Sequence, residues 1–285
     1  MAGVPEPLAA GAAAVVGEVL ARRGGTPMAM AERHLTRVLG SSSSVPPDPA
    51  LVRRWARRSF RAYARYWMEG ARLPTMDPAA VDDRMVVERG YEHLQAAMAA
   101  GRGVVMALPH VGSWEWGGAF LAHRGYPMTS VAEPLEPPEM FRWFVAQREA
   151  LGLRIVALGA DSGSTVLRVL RGGGLVGLLC DRDLPGNGIE VEFFGERTTL
   201  PAGPATLALR TGAALVVAAV YSGPRRQHTA LVSAPLDTAR RGGLREDARR
   251  VAQEVAGALE GLIRQAPEQW HMFQPNWPSD EPGPS

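Results

Sequence analysis

The segment Leu108-Pro109-His110-Val111-Gly112-Ser113-Trp114-Glu115 holds an imidazole and a carboxylate in a His-x4-Glu spacing. It follows a short apolar run, 103–108, that reads as a buried strand. In open α/β sheets, ligand sites lie outside the carboxyl ends of strands. Ser113 suits a helix N-cap with its hydroxyl taken up by backbone N–H groups, which puts Glu115 in the first helical turn and His110 in the loop before it. A histidine held beside free helix N–H groups pairs a base with a dipole that stabilises an oxyanion. Acyl transfer needs both, one for the attacking hydroxyl and one for the tetrahedral intermediate. The competing reading has His110 satisfying a loop carbonyl at a strand end. The spacing by itself leaves both open.

Other chemistries have less support. No Gly-x-Ser-x-Gly elbow is present, which counts against an α/β-hydrolase, although the same histidine and acid could activate water. Gly101-Arg102-Gly103 precedes a strand and Gly172-Gly173-Gly174 reads as a turn, so neither is a dinucleotide or Walker phosphate loop. The six histidines, His34, His93, His110, His123, His228 and His271, show no ligand spacing. No metal and no cofactor are expected. One cysteine, Cys180, excludes an internal disulfide and a Cys-based zinc site, and fits a reducing compartment.

The 285 residues are 46% hydrophobic, enough for a sizeable core, with a formal net charge of +2. There is no lysine, so every one of the 31 basic side chains is arginine. A phosphate held by a side-chain cation would therefore meet a guanidinium. The balanced charge gives no extended basic surface for a duplex, and no nucleic acid is expected. No stretch reaches the ~18–20 apolar residues that span a bilayer. The apolar run from Leu8 to Leu20 is short, interrupted by Glu18 and lacks a preceding basic region, against a signal peptide. A peripheral protein on an anionic lipid surface is the expectation.

The elements that position these residues fall into two zones. Residues 7–40 read as helical, broken at Gly24-Gly25. Residues 41–47 read as a loop, and 48–72 as a second helix. Arg53, Arg57, Arg61 and Arg65 form one stripe on that helix, while Trp55, Phe60, Tyr63, Tyr66 and Trp67 cover much of the rest. The stripe reads either as a solvated face or as a membrane-surface helix, arginines at lipid phosphates. From residue 87 onward helices alternate with short β-rich runs. Helices are expected at 87–100, 113–124, 137–151, 163–171, 202–211 and 244–265. Strands are expected at 103–108, 127–132, 153–158, 174–180, 189–194, 213–221 and 228–234. The alternation predicts an α/β domain with a central mixed sheet flanked by helices, preceded by an N-terminal helical segment. Residues 1–277 form one domain on this reading, with the helical, membrane-facing segment over about 1–72. The tail 278–285, rich in Pro, Ser, Asp and Gly, reads as disordered.

Four blocks in order carry a resemblance. They are the His110 block; Phe144-Val145-Ala146-Gln147-Arg148-Glu149; Cys180-Asp181-Arg182-Asp183 with Val191-Glu192-Phe193-Phe194-Gly195-Glu196 and Pro201-Ala202-Gly203-Pro204; and Pro267-Glu268-Gln269-Trp270-His271-Met272-Phe273. Together they resemble the glycerolipid-type acyltransferases, above all the branch of lipid A late acyltransferases and actinobacterial phosphatidylinositol mannoside acyltransferases. The similarity spans about residues 50–277. Two positions depart from the mannoside branch: Glu115 stands where Asp is frequent, and Asp181 where Glu is expected.

The resemblance implies an O-acyltransferase that takes a fatty acyl chain from acyl-CoA or acyl-carrier protein. The acceptor would be a sugar hydroxyl of a membrane glycolipid, a phosphatidylinositol mannoside first, a lipid A precursor or lysophospholipid second. The setting would be the cytoplasmic face of the cell membrane. His110 becomes the general base and Asp181 or Glu115 its orienting acid, with Asp181 favoured. Arg148 and Arg182 would hold anionic groups of either substrate, and Glu196 would shape the acceptor pocket. Trp114, Trp116, Phe193 and Phe194 read either as core or as an acyl-contacting wall.

Overall fold

A computed structural model describes residues 4–41 and 45–281. The N-terminal zone holds α1 (Glu6–Arg23), α2 (Thr26–Gly40) and α3 (Pro49–Arg72), followed by α4 (Pro78–Arg84). Next come β1 (Met85–Arg89), α5 (Tyr91–Ala99), β2 (Val104–Leu108), α6 (Trp114–His123), β3 (Met128–Ala132), α7 (Pro138–Glu149) and β4 (Arg154–Ala157). The chain continues through α8 (Ser162–Arg171), β5 (Leu175–Leu179), β6 (Ile189–Phe193), β7 (Glu196–Leu200), α9 (Gly203–Thr211), β8 (Ala214–Ser222), β9 (His228–Val232) and α10 (Leu244–Gln265).

Seven strands form one mixed sheet in the order β1-β9-β8-β2-β5-β3-β4, with β8 and β9 the antiparallel pair. The strand β2 reads Val-Val-Met-Ala-Leu and is buried along its whole length, as a central parallel strand covered on both faces must be. Helices α6 and α5 cover one face with Trp116, Phe120 and Leu94, while α9 and α10 cover the other with Leu207, Val255 and Leu259. Among the described residues no helix is long and apolar enough to cross a membrane.

Two local expectations are corrected. The helix read over 87–100 is a strand, 85–89, followed by a shorter helix. Gly90 makes the break at φ +86, where a Cβ would stand 1.9 Å from the Val232 carbonyl oxygen, so the chain turns against β9 instead of continuing as helix. The single strand at 189–194 is one arm of a hairpin with β7, turned at Phe194-Gly195, both with positive φ. Helix α4 had no separate reading.

The described part of the C-terminal tail is docked, which corrects its reading as disordered; residues 282–285 lie outside the described residues. Asp280 is buried at 4% exposure, and its Oδ2 meets His34 Nε2 at 3.1 Å and accepts the N–H groups of Asn276 and Trp277. Its Oδ1 faces an Arg37 guanidinium nitrogen at 2.7 Å. Composition alone concealed this, because the anchor is one carboxylate with partners some 240 residues away. Burial pushes the Asp280 carboxyl up, but the bonds from His34, Asn276 and Arg37 outweigh it and hold it well below the usual carboxylate range. A depressed pKa gives stability that is complete at neutral pH and is lost as pH falls below about 4, where the unfolded chain binds the proton. Asp280→Asn is expected to destabilise the fold by about 2 kcal/mol, read as a lower urea midpoint at pH 7. The gap to wild type should narrow towards pH 3; equal midpoints at pH 7 would refute the latch.

The arginine stripe of α3 faces the other N-terminal helices. Arg57 and Arg61 both bond Glu18 of α1, holding its carboxyl down to about 2; Arg53 lies 3.7 Å from Glu32, and Arg65 bonds Glu69 and the Gly223 carbonyl. Gly17 lets α1 pack closely on α3, since a Cβ there would come within 2.7 Å of the Phe60 carbonyl oxygen. Exposed Leu8, Val15, Val16, Val19 and Leu20 lie on α1.

Candidate active site

His110 and Asp181 meet because β2 and β5 are parallel neighbours in matched register. Val104 pairs with Leu175 and Leu108 with Leu179, so the residues two past each strand end emerge side by side. His110 Nδ1 lies 2.5 Å from Asp181 Oδ1, and the His110 main-chain N–H donates to Asp181 Oδ2 at 2.8 Å. Trp270 Nε1–H donates to that same Oδ2 at 2.7 Å. Asp181 is fully buried, while the His110 side chain is 35% exposed. Burial pushes the Asp181 carboxyl up. Attraction to His110 and bonds from its ring, its main chain and Trp270 outweigh this, and the net shift is downward. With Nδ1 on the carboxylate, Nε2 is the ring nitrogen left for chemistry.

The loop that carries His110 is pinned to the sheet. Gly112 has φ +60, and a Cβ there would sit 2.0 Å from the Val220 carbonyl oxygen of β8. Its N–H donates to the Gln269 carbonyl, and the next N–H, that of Ser113, donates to Val220. Ser113 does occupy the N-cap of α6, but it makes no side-chain cap bond; its hydroxyl is buried without a partner. It is fully enclosed, so it offers no exposed nucleophile. Cys180 is enclosed as well, and burial pushes its thiol up, away from thiolate chemistry.

Glu115 is placed elsewhere. It is buried at 6%, and its Oε1 accepts from Tyr66 Oη at 2.8 Å and from Arg148 at 3.1 Å. Arg148 also lies over the Trp114 ring at 4.9 Å. The second acid of the His-x4-Glu motif therefore ties α6 to α3 and α7, and Asp181 is the carboxylate on the imidazole. Tyr66 stays protonated, because burial and the charge of Glu115 both push its phenol well up.

His110, Arg148 and Arg182 line one groove of about 720 Å³. Tyr63, Tyr66, His271 and Arg210 also line it, and an apolar arm is formed by Val166 and Leu167 of α8, Leu178 of β5 and Leu207 of α9. Arg182 lies 4.0 Å from Glu133 and keeps its buried Nε without a partner. Glu196 is not brought to this groove: it bonds Arg37 at 2.8 Å and Ser279, in the tail latch. The β6–β7 hairpin, absent from the sequence reading, carries it away. Trp114, Trp116, Phe193 and Phe194 are all buried, and of the four Trp114 also lines the groove.

His271 was missed as a groove residue. Its ring bonds the Gly112 carbonyl through Nε2 at 3.0 Å, its Nδ1 has no partner, and desolvation lowers its pKa to about 4. Its ring is therefore neutral near pH 7. Its place beside Trp270 in the fourth block was the available signal.

The family model described as bacterial lipid A biosynthesis acyltransferase matches residues 1–279. A phosphatidylinositol mannoside acyltransferase of Mycolicibacterium smegmatis (strain ATCC 700084 / mc(2)155) is 36% identical over 281 residues, covering 97% of this chain and 88% of the relative. One of Mycobacterium tuberculosis (strain CDC 1551 / Oshkosh) is 37% identical over 254 residues, covering 87% and 76%. The chain, with its mixed α/β sheet and N-terminal helices, belongs to the bacterial lipid A biosynthesis acyltransferase family.

Proposed function

We propose that this acyltransferase moves a fatty acyl chain from the thioester of acyl-CoA or acyl-carrier protein to a mannose hydroxyl of a phosphatidylinositol mannoside. The observation that carries the reading is the His110–Asp181 pair, whose imidazole lines a groove that also has an apolar arm. In this reading His110 Nε2 takes the hydroxyl proton as the oxygen attacks the thioester carbonyl. Asp181 keeps the proton on Nδ1 and stabilises the imidazolium that forms. The positive end of α6, which starts four residues after His110, favours the oxyanion. Collapse expels the thiolate, which takes the proton from His110. The apolar arm suits an acyl chain, and Arg182 and Arg148 suit phosphate or phosphodiester groups.

The names of the two relatives, which specify phosphatidylinositol mannoside, support this choice of acceptor. The test is an acceptor screen with purified protein and palmitoyl-CoA, read by mass spectrometry. Phosphatidylinositol mannosides, lipid A precursors and lysophospholipids compete in it. Acylation of a mannoside supports the reading; preference for another acceptor, or release of free fatty acid, overturns it.

Peripheral binding to an anionic bilayer, at the cytoplasmic face, completes the proposal. Supporting it are the exposed apolar side chains around the groove: Trp67 on α3, Met140 and Trp143 on α7, Leu158 and Leu184, each 40–48% exposed. Helix α7 has no buried residue although it carries Phe141, Trp143 and Phe144. Indole rings of this kind suit the headgroup level. The α3 arginines at 57 and 61, engaged with Glu18, are less suited to lipid phosphates than the sequence suggested. Replacing Trp67 and Trp143 together by alanine is expected to weaken binding to phosphatidylinositol-containing vesicles by at least tenfold in co-sedimentation, about 1.4 kcal/mol. Undiminished sedimentation would move the contact elsewhere on the protein.

A further inference from the structure

The Pro-Glu-Gln-Trp segment near the C-terminus stands out in sequence, and acyl transfer as outlined above leaves it without a task. In the structure the stretch 269–276 touches the His110–Asp181 pair at three points and the His110 loop at a fourth. The Gln269 carbonyl accepts the Gly112 N–H at 3.0 Å, and the His271 N–H donates to the His110 carbonyl at 2.8 Å. Asn276 Nδ2 donates to the Asp181 main-chain carbonyl at 2.9 Å. Trp270 Nε1 donates to Asp181 Oδ2 at 2.7 Å, inside a site where both residues are buried.

The two oxygens of Asp181 are thereby assigned different partners. Oδ2 accepts two N–H groups, from the His110 main chain and the Trp270 indole, and Oδ1 meets the imidazole. The indole ring is itself held. The His34 ring lies 5.5 Å from it and the Phe194 ring 5.9 Å, Trp277 meets it edge-on at 6.2 Å, and Val111 bridges to its backbone. His34 in turn is locked to Asp280. This is a rigid donor aimed at one oxygen of the acid, braced by the N-terminal helices and the tail.

We propose that Trp270 is a positioning residue for the general-base pair, its indole N–H holding Asp181 so that Oδ1 alone is presented to His110. The inference rests on the general-base reading of His110 and Asp181. A donated hydrogen bond does two things to a buried carboxylate. It fixes the plane, which sets the direction of the imidazole and thus of Nε2. It also withdraws charge, which keeps the carboxylate from holding the imidazolium so tightly that the proton is not passed on. Without the N–H the carboxylate is free to rotate and is more basic.

The test is Trp270→Phe, which keeps a ring in the aromatic cluster and deletes the donor. A second version, with 3-benzothienylalanine at position 270, keeps the bicyclic ring and loses the N–H alone. Both are expected to lower kcat about tenfold with KM for donor and acceptor within about twofold. In both, the acid limb of the kcat/KM profile should move to higher pH, since the pair titrates as a unit and its carboxylate has become more basic. In the Asp181→Asn background, Trp270→Phe should add nothing further, because its route to the chemistry runs through Asp181. Wild-type kcat and an unmoved acid limb in the benzothienylalanine protein would overturn the positioning role. So would a full additional loss in the Asp181→Asn background. Full activity of Asp181→Asn alone would instead remove the general-base reading, a separate outcome.

Discussion

His110→Ala is expected to lower acyl transfer about a thousandfold while the protein stays folded. General-base catalysis contributes roughly 10²–10⁴ in rate, and here no neighbour stands ready to substitute. His271 shares the groove, but one of its nitrogens is spent on the Gly112 carbonyl and its pKa of about 4 makes it a weak base. Tyr66 is locked to Glu115 as a donor. The fold should survive because the His110 side chain is a third exposed and makes its ring bond to Asp181 alone among the described residues, whose Oδ2 keeps both other donors. The check is single-turnover transfer with acyl-CoA, alongside a thermal melt. A rate within threefold of wild type in a folded variant would end the proposed mechanism.

Asp181→Asn should cost as much or more, roughly 10³–10⁴ in kcat, with less effect on KM. The cause is a conflict that neither amide orientation resolves. With its oxygen towards the His110 main chain and Trp270, the amide offers N–H₂ to the imidazole. Nδ1 must then accept, the ring proton moves to Nε2, and the base is lost. With its oxygen towards the ring, the amide N–H₂ meets two N–H donors that have no other acceptor nearby. Buried donors left unmatched cost about 1–3 kcal/mol each, so this variant should also melt earlier. The pH–rate profile distinguishes it from a packing defect: its acid limb should be displaced or lost, whereas a loosened fold lowers the rate evenly across pH.

The alternation of β-rich runs and helices was legible because central parallel strands are nearly all apolar and the helices between them are not. Val104 to Leu108 and Leu175 to Leu179 could be read off directly. Their relative register could not, and the register is what chooses the acid: a shift of one or two residues would put Arg182 or Asp183, in place of Asp181, beside His110. The spacing of Glu115 from His110 suggested partnership, yet a helix N-terminus turns the two side chains apart, towards Arg148 in one case and β5 in the other. Residues 87–89 read as helix because nothing local shows that Gly90 must pass within reach of Val232. Glu196 looked like a pocket residue because the hairpin that carries it depends on a two-residue turn containing Phe194, which rarely adopts positive φ. The tail reads as solvent-loving by composition, and its buried anchor, Asp280, is visible only once His34 and Arg37 are in place.

The position of Trp270 in the chain also bears on when the site comes into being. Asp181 leaves the ribosome 89 residues before the indole that holds it, an interval of roughly 5–15 s at ordinary rates of synthesis. During that time β2 and β5 can pair, but the carboxylate between them lacks the donor that balances its burial. A chain made only as far as Asp181 therefore lacks one of the donors that its carboxylate has in the fold. In the proposed mechanism the acid and base become a working pair only once the stretch 269–276 has been made and closes over them. The order of the sequence acts as a timer: the proposed chemistry switches on only after Trp270 is in place.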